Sequence, residues 1–203
     1  AFPAPPARAD GLADAAARRF QLGAERYLAK DFRGALEYFL ASNRLVSNRN
    51  VVFNIARTFE HLKRYPDAHR YYVDALDGET DDQVRNEIAK AMERIVPNVA
   101  ILKVATQPAG ATIYLERRDL GSRGRAPRPL GLAEGAYRII AELPGYEPAE
   151  SEKVTVRLGE EAAVELTLRL IVGTVSIDHE EPVEVRVDDE SVEPKCVAPC
   201  DLE

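Results

Sequence analysis

At 203 residues the chain has room for one large or two modest domains, and its 45% hydrophobic content is that of a globular protein. A formal charge of −7 leaves no basic surplus, which removes the electrostatic basis for nucleic-acid binding. No apolar run approaches the roughly 18 to 20 residues needed to cross a bilayer, so any membrane contact requires segments outside this chain.

The acidity is uneven. Residues 171–203 hold ten acidic residues against two basic ones, whereas residues 1–98 and 99–170 are close to balance. At the other end, residues 1–11 read AFPAPPARADG. They fit an Ala/Pro leader or, with Ala7-Arg8-Ala9 in the small-x-small form of a signal-peptidase site, a signal-peptide remnant.

From Leu12 to Val96 the apolar spacing is helical, and Pro66 is the one proline inside it. LGAERYLAKDFRGALEYFLAS, residues 22–42, aligns without a gap on IARTFEHLKRYPDAHRYYVDA, residues 55–75. The offset is 56 − 23 = 33 residues, pairing Gly23 with Ala56, Phe32 with Tyr65, Ala35 with Ala68 and Phe39 with Tyr72. Small residues let the two helices of a hairpin approach, and aromatics fill the space between them. Pro66 falls in the first turn of a helix, where an N–H has no partner to lose. A last stripe of Val84, Ile88, Ala91, Met92 and Ile95 predicts a helix that covers the end of the array.

These spacings resemble the tetratricopeptide repeat over residues 16–80, with Arg19, Val52, Ser42 and Ser47 departing from the family's preferences. The resemblance implies an α-hairpin superhelix over residues 12–98 whose first helices line a groove for a protein partner. Carried onto this chain, the groove positions are Phe20, Ala24, Tyr27, Leu28, Phe53, Asn54, Arg57, Glu60, His61, Asn86 and Lys90. Phe20 and Ala24 replace the Lys and Asn of the family's carboxylate clamp, so binding of chaperone tails is not expected.

After Pro97 the period becomes two. Ile113 and Leu115; Tyr137, Ile139 and Ala141; Val154, Val156 and Leu158; and Val164, Leu166, Leu168 and Leu170 alternate with polar neighbours, separated by turn signals such as Pro144-Gly145. In QPAGATIYLERRDLG, Gly110 precedes a strand and Gly121 follows one, so neither belongs to a phosphate-holding loop that closes onto a helix. Pro108-Ala109-Gly110-Ala111, Gly121, Ala126-Pro127, Gly135, Pro144-Gly145-Tyr146 and Gly159 resemble the PEGA domain. That resemblance implies a small antiparallel β-sandwich module of cell-surface and envelope proteins over residues 99–170. Val175 and Ile177, then Val183, Val185 and Val187, with Ala198-Pro199, suggest that residues 171–203 begin a second, truncated module.

No nucleophile with a base, spaced carboxylate pair or metal cluster is signalled, and neither catalytic residues nor a cofactor are expected. His61 and His69 read as surface or packing residues; Glu160-Glu161 and Glu180-Glu181 read as solvated charge. Arg117, Arg118, Arg123, Arg125 and Arg128 fall in a predicted loop, a basic stretch that either meets carboxylates or phosphates of an envelope polymer or is a solvated hairpin tip or one held by acidic residues 178–193. The expected class is α+β and multidomain. The expected function is a non-enzymatic, extracytoplasmic scaffold of the bacterial envelope, with cell-wall or surface-polysaccharide binding through the β half as the alternative. Cys196 and Cys200 are either bridged, as suits an exported protein, or two separate thiols. Alkylation of the native protein without reductant distinguishes these: a bridge leaves both cysteines unlabelled, and rapid labelling of both excludes it.

Overall fold

The computed structural model describes residues 7–173, 175–179, 181–186 and 195–202. Among the described residues five α-helices are followed by a strand-rich region, an α+β arrangement. The helices are α1 (Ala7–Leu28), α2 (Phe32–Leu45), α3 (Arg49–His61), α4 (Tyr65–Leu76) and α5 (Asp82–Ile95). Part of the expected leader is therefore helical: α1 starts at Ala7 rather than at Leu12, because Ala7-Arg8-Ala9 are strong helix formers and an acidic residue such as Asp10 suits a helix's first turn. Residues 1–6 of that leader lie outside the described residues.

The 33-residue repeat is obeyed by the backbone. Lys30 and Lys63 both adopt left-handed conformations, with φ of 61° and 58°. Around them, Lys30 N–H bonds Tyr27 O and Asp31 N–H bonds Arg26 O, while Lys63 N–H bonds Glu60 O and Arg64 N–H bonds Phe59 O. These paired bonds are Schellman motifs, each built on a lysine where glycine is usual. Asp31 and Asp81 cap the helices that follow them, accepting bonds from Gly34 N–H and from Gln83 and Val84 N–H respectively.

Packing between helices follows the small and aromatic residues read from the sequence. Ala35, Ala56 and Ala68 are fully buried, as are Phe39 and Tyr72. Each such aromatic contributes about 1.5–3 kcal/mol by leaving water. A Cβ on Gly23 would stand 2.7 Å from the Phe39 ring, so α1 and α2 meet there through glycine alone. Ser42, where an Ala was expected from the repeat, is buried, and its hydroxyl donates to Ala16 O at 2.8 Å. In α5, Ile88, Ala91 and Ile95 are buried and Val84 and Met92 pack beside them.

A 3₁₀ turn, Val96–Asn98, leads directly into β1 (Ala100–Gln107). β2 (Thr112–Leu115), β3 (Arg128–Leu132), β4 (Gly135–Tyr137), β5 (Ile139–Glu142), β6 (Ala149–Glu150), β7 (Val154–Val156) and β8 (Glu161–Thr167) follow. One sheet runs β3-β1-β8, a second β2-β5-β6, and β4 pairs with β7. Their shared core contains Leu102, Val104, Ile113, Leu130, Leu132, Ile139, Val156 and Leu166.

Three expectations are corrected here. The module is not purely antiparallel, because β1 pairs parallel with β8 from Ile101↔Glu161 to Gln107↔Thr167. The Tyr137 to Ala141 stretch is two strands: the chain changes partner at Arg138, β4 going to β7 and β5 to β2. Arg128 opens β3 instead of lying in a loop, and its neighbour Pro129, which has no N–H to donate, sits on an edge strand where that is tolerated. The final stretch forms β9 (Val175–Ile177), β10 (Val183–Val185), β11 (Cys196–Ala198) and β12 (Cys200–Leu202), with β9 pairing β12 and β10 pairing β11. Glu180 and Val187 lie outside the described residues.

The two halves meet where α4 lies on β3. Alternation along β3 sends Leu130 and Leu132 into the β core and leaves Gly131 on the other face, against His69 of α4. Arg128 forms an ion pair with Asp74 of α4 alongside. A Cβ at position 131 would lie 2.5 Å from His69 Cγ. Gly131→Ala is therefore expected to destabilise the chain by about 1–3 kcal/mol, measured by chemical denaturation. An unchanged midpoint would show that the halves do not rely on this approach.

Candidate functional site

The expected groove residues occupy α1, α3 and α5, and one side chain links the three. Arg57 lies 5.7 Å from the ring centroids of both Tyr27 on α1 and Phe53 on α3. It also stands 4.0 Å from the Glu87 carboxylate on α5. Cation–π contacts of this kind contribute roughly 0.5–1 kcal/mol where exposed. Beside them the His61 ring stacks on Phe32 at 4.3 Å, and Tyr27 meets both rings edge-on at 5.3 Å. The Tyr27 hydroxyl is enclosed without a hydrogen-bond partner among the described residues.

Not all the expected residues are available to a partner. Glu60 accepts from the Tyr72 hydroxyl at 2.5 Å and from Arg94 at 3.1 and 3.2 Å, so its carboxylate joins α3 to α4 and α5. Burial, then this bond to Glu60, raises the Tyr72 pKa above the usual phenol range, while the same carboxylate raises that of Arg94. Phe20 is half-buried against Phe39 at 5.5 Å, Ala24 packs on the helical core, and the Asn54 side chain donates to Asn50 O. Leu28, 82% exposed at the end of α1, remains open, as do the exposed Asn86 and Lys90 on α5.

The arginine stretch does not act as one surface. Arg117 pairs with Asp119, Arg118 with Glu142 and Arg128 with Asp74, none of them in the acidic tail. Arg123 turns inward, with its Nε enclosed and unpartnered. Arg125 is exposed, and no side-chain partner is found for it among the described residues. Cys196 and Cys200 are joined by a disulfide. Among the described residues no group of three His, Cys, Asp or Glu side chains gathers as a metal site, and no helix is long and apolar enough to cross a membrane.

Sequence reasoning missed the setting of His69, which is 2% exposed with Nδ1 unpartnered. The available signal was Gly131 inside a strand-forming stretch, a mark of close approach by another element. Burial first, and the Arg128 charge second, lower the His69 pKa from 6.5 to about 4. Residues 99–171 match the family model of the PEGA domain. No curated protein matches the chain.

Because the folded pKa of His69 lies below its unfolded value of 6.5, its contribution is complete above that value and is lost as the pH falls towards about 4. The loss amounts to about 3 kcal/mol at most. Denaturation of the native chain and of His69→Leu at pH 7.5 and 4.5 should show a smaller acid-side loss in the variant; equal losses would remove His69 as a contributor.

Proposed function

We propose that this chain is a non-enzymatic scaffold of the bacterial envelope. Its helices act as tetratricopeptide-type repeats that bind a protein partner, and its β half, a PEGA-type sandwich module with a second one beginning near residue 171, acts as spacer or surface contact. The observation that carries the reading is Arg57, which gathers Tyr27, Phe53 and Glu87 from α1, α3 and α5 into one mixed aromatic and charged face. Aromatic and arginine side chains are the residue types that anchor protein partners. The extracytoplasmic placement draws on the PEGA match and on the Cys196–Cys200 bridge, which suits an oxidising compartment.

The polysaccharide alternative has less support, since Arg117, Arg118 and Arg128 already have carboxylate partners within the chain. Exposed pairs of this kind are weak enough to exchange, which keeps Arg117 and Arg118 as the residues through which that reading would operate.

The test uses the whole chain as bait in solubilised envelopes. Arg57→Gln and Leu28→Asp alter the exposed face and keep every hydrogen bond of the Glu60–Tyr72–Arg94 cluster that joins the helices. Each is expected to weaken retention of a defined partner by roughly tenfold, the scale of an anchor residue. Retention indifferent to both substitutions would sink the helical face as the binding surface.

A further inference from the structure

Between α4 and the β module lies a cleft of about 290 Å³, at the small end of ligand-sized cavities. Its walls come from both halves: Pro66, Asp67 and Arg70 from α4, and Leu115, Arg123, Leu130, Leu132 and Tyr137 among others from the β side. The charges around it do not cancel. Asp67 is held by Arg64 at 2.8 Å, and Arg128 is held by Asp74. That leaves Arg70, which has no ion-pair partner among the described residues, and Arg123, whose Nε is enclosed with nothing to donate to.

A buried donor without an acceptor is unfavourable, and two guanidiniums facing one cleft add mutual repulsion. Burial, followed by the charge of Arg70, accordingly lowers the Arg123 pKa, and the Asp67 carboxylate, already held by Arg64, offsets only part of that effect. An anion between the two would relieve both costs. The remaining lining is apolar, since Leu115, Leu130, Leu132 and the Tyr137 ring face the same space. Such walls disfavour a dianion, which would give up more hydration than a single negative charge, and they favour a ligand with an apolar body.

We propose that this cleft binds a small carboxylate with an apolar body, its carboxylate between Arg70 and Arg123 and its body on Leu115, Leu130, Leu132 and Tyr137. The site is separate from the helical face and from the exposed arginines of the β half. Because its walls belong to both halves, an occupant stabilises their junction by binding the joined state alone.

The test is a titration of the full chain with sodium benzoate at constant ionic strength, followed by NMR at the amides of Arg123, Gly131 and His69. Saturable shifts are expected, accompanied by a rise in thermal midpoint. Arg70→Gln and Arg123→Gln should each weaken the affinity by roughly fivefold or more, as loss of a charge-assisted bond does. Arg70 is exposed on α4, so its variant stays readable even where Arg123→Gln disturbs packing. Shifts that never saturate, an affinity unchanged in Arg70→Gln, or equal binding of uncharged benzyl alcohol would overturn the proposal. Tighter binding of phenyl phosphate than of benzoate would overturn the choice of carboxylate.

Discussion

The architecture depends on how closely α4 can approach β3. Gly131 provides the space, His69 fills it, and the Asp74–Arg128 pair closes the side. These contacts turn a row of helical hairpins and a β module into one packed unit, and the 3₁₀ turn Val96–Asn98 makes the covalent connection too short to serve as a flexible tether. Replacing a buried, neutral histidine by a charged one in such a place is costly, because burial disfavours the charged form and Arg128 already supplies a positive charge.

Within the helical half the same economy recurs at each hairpin. A lysine in the left-handed conformation ends α1 and α3, although glycine would adopt it with less strain. The resulting turns place Phe32 and Tyr65 at equivalent starts of α2 and α4, and hence Phe39 and Tyr72 at equivalent depths. From there the copies diverge. Tyr72 has a hydroxyl that reaches Glu60, which draws in Arg94 of α5 and so anchors the terminal helix, whereas Phe39 has no such handle and packs against Gly23 instead.

Much of this was legible because the residue types at the repeat positions are dictated by close packing: Gly23, Ala35, Ala56 and Ala68 announce helix contacts wherever they sit. The β half was read less completely. β1 begins with Ala100, Ile101 and Leu102 all buried, so it lacks the alternation by which one-sided strands are recognised. At Arg138 the alternation continues while the hydrogen-bonding partner changes, and periodicity carries no trace of that switch. The candidate site divides in the same way. Leu28 is exposed and Arg57 is half-exposed, whereas Glu60 and Arg123 are withdrawn by partners and walls that come from distant parts of the chain, which spacing alone does not reveal.

The parallel pairing of β1 with β8 has a mechanical consequence. The chain enters the module at the start of β1 and leaves past the end of β8, at opposite ends of the same two neighbouring strands. A pull applied through the flanking segments therefore runs along this ladder and loads its seven paired positions together in shear, rather than peeling them one at a time. A module wired in this way resists extension along its own chain as a unit, with the β1–β8 ladder giving way as a block or not at all.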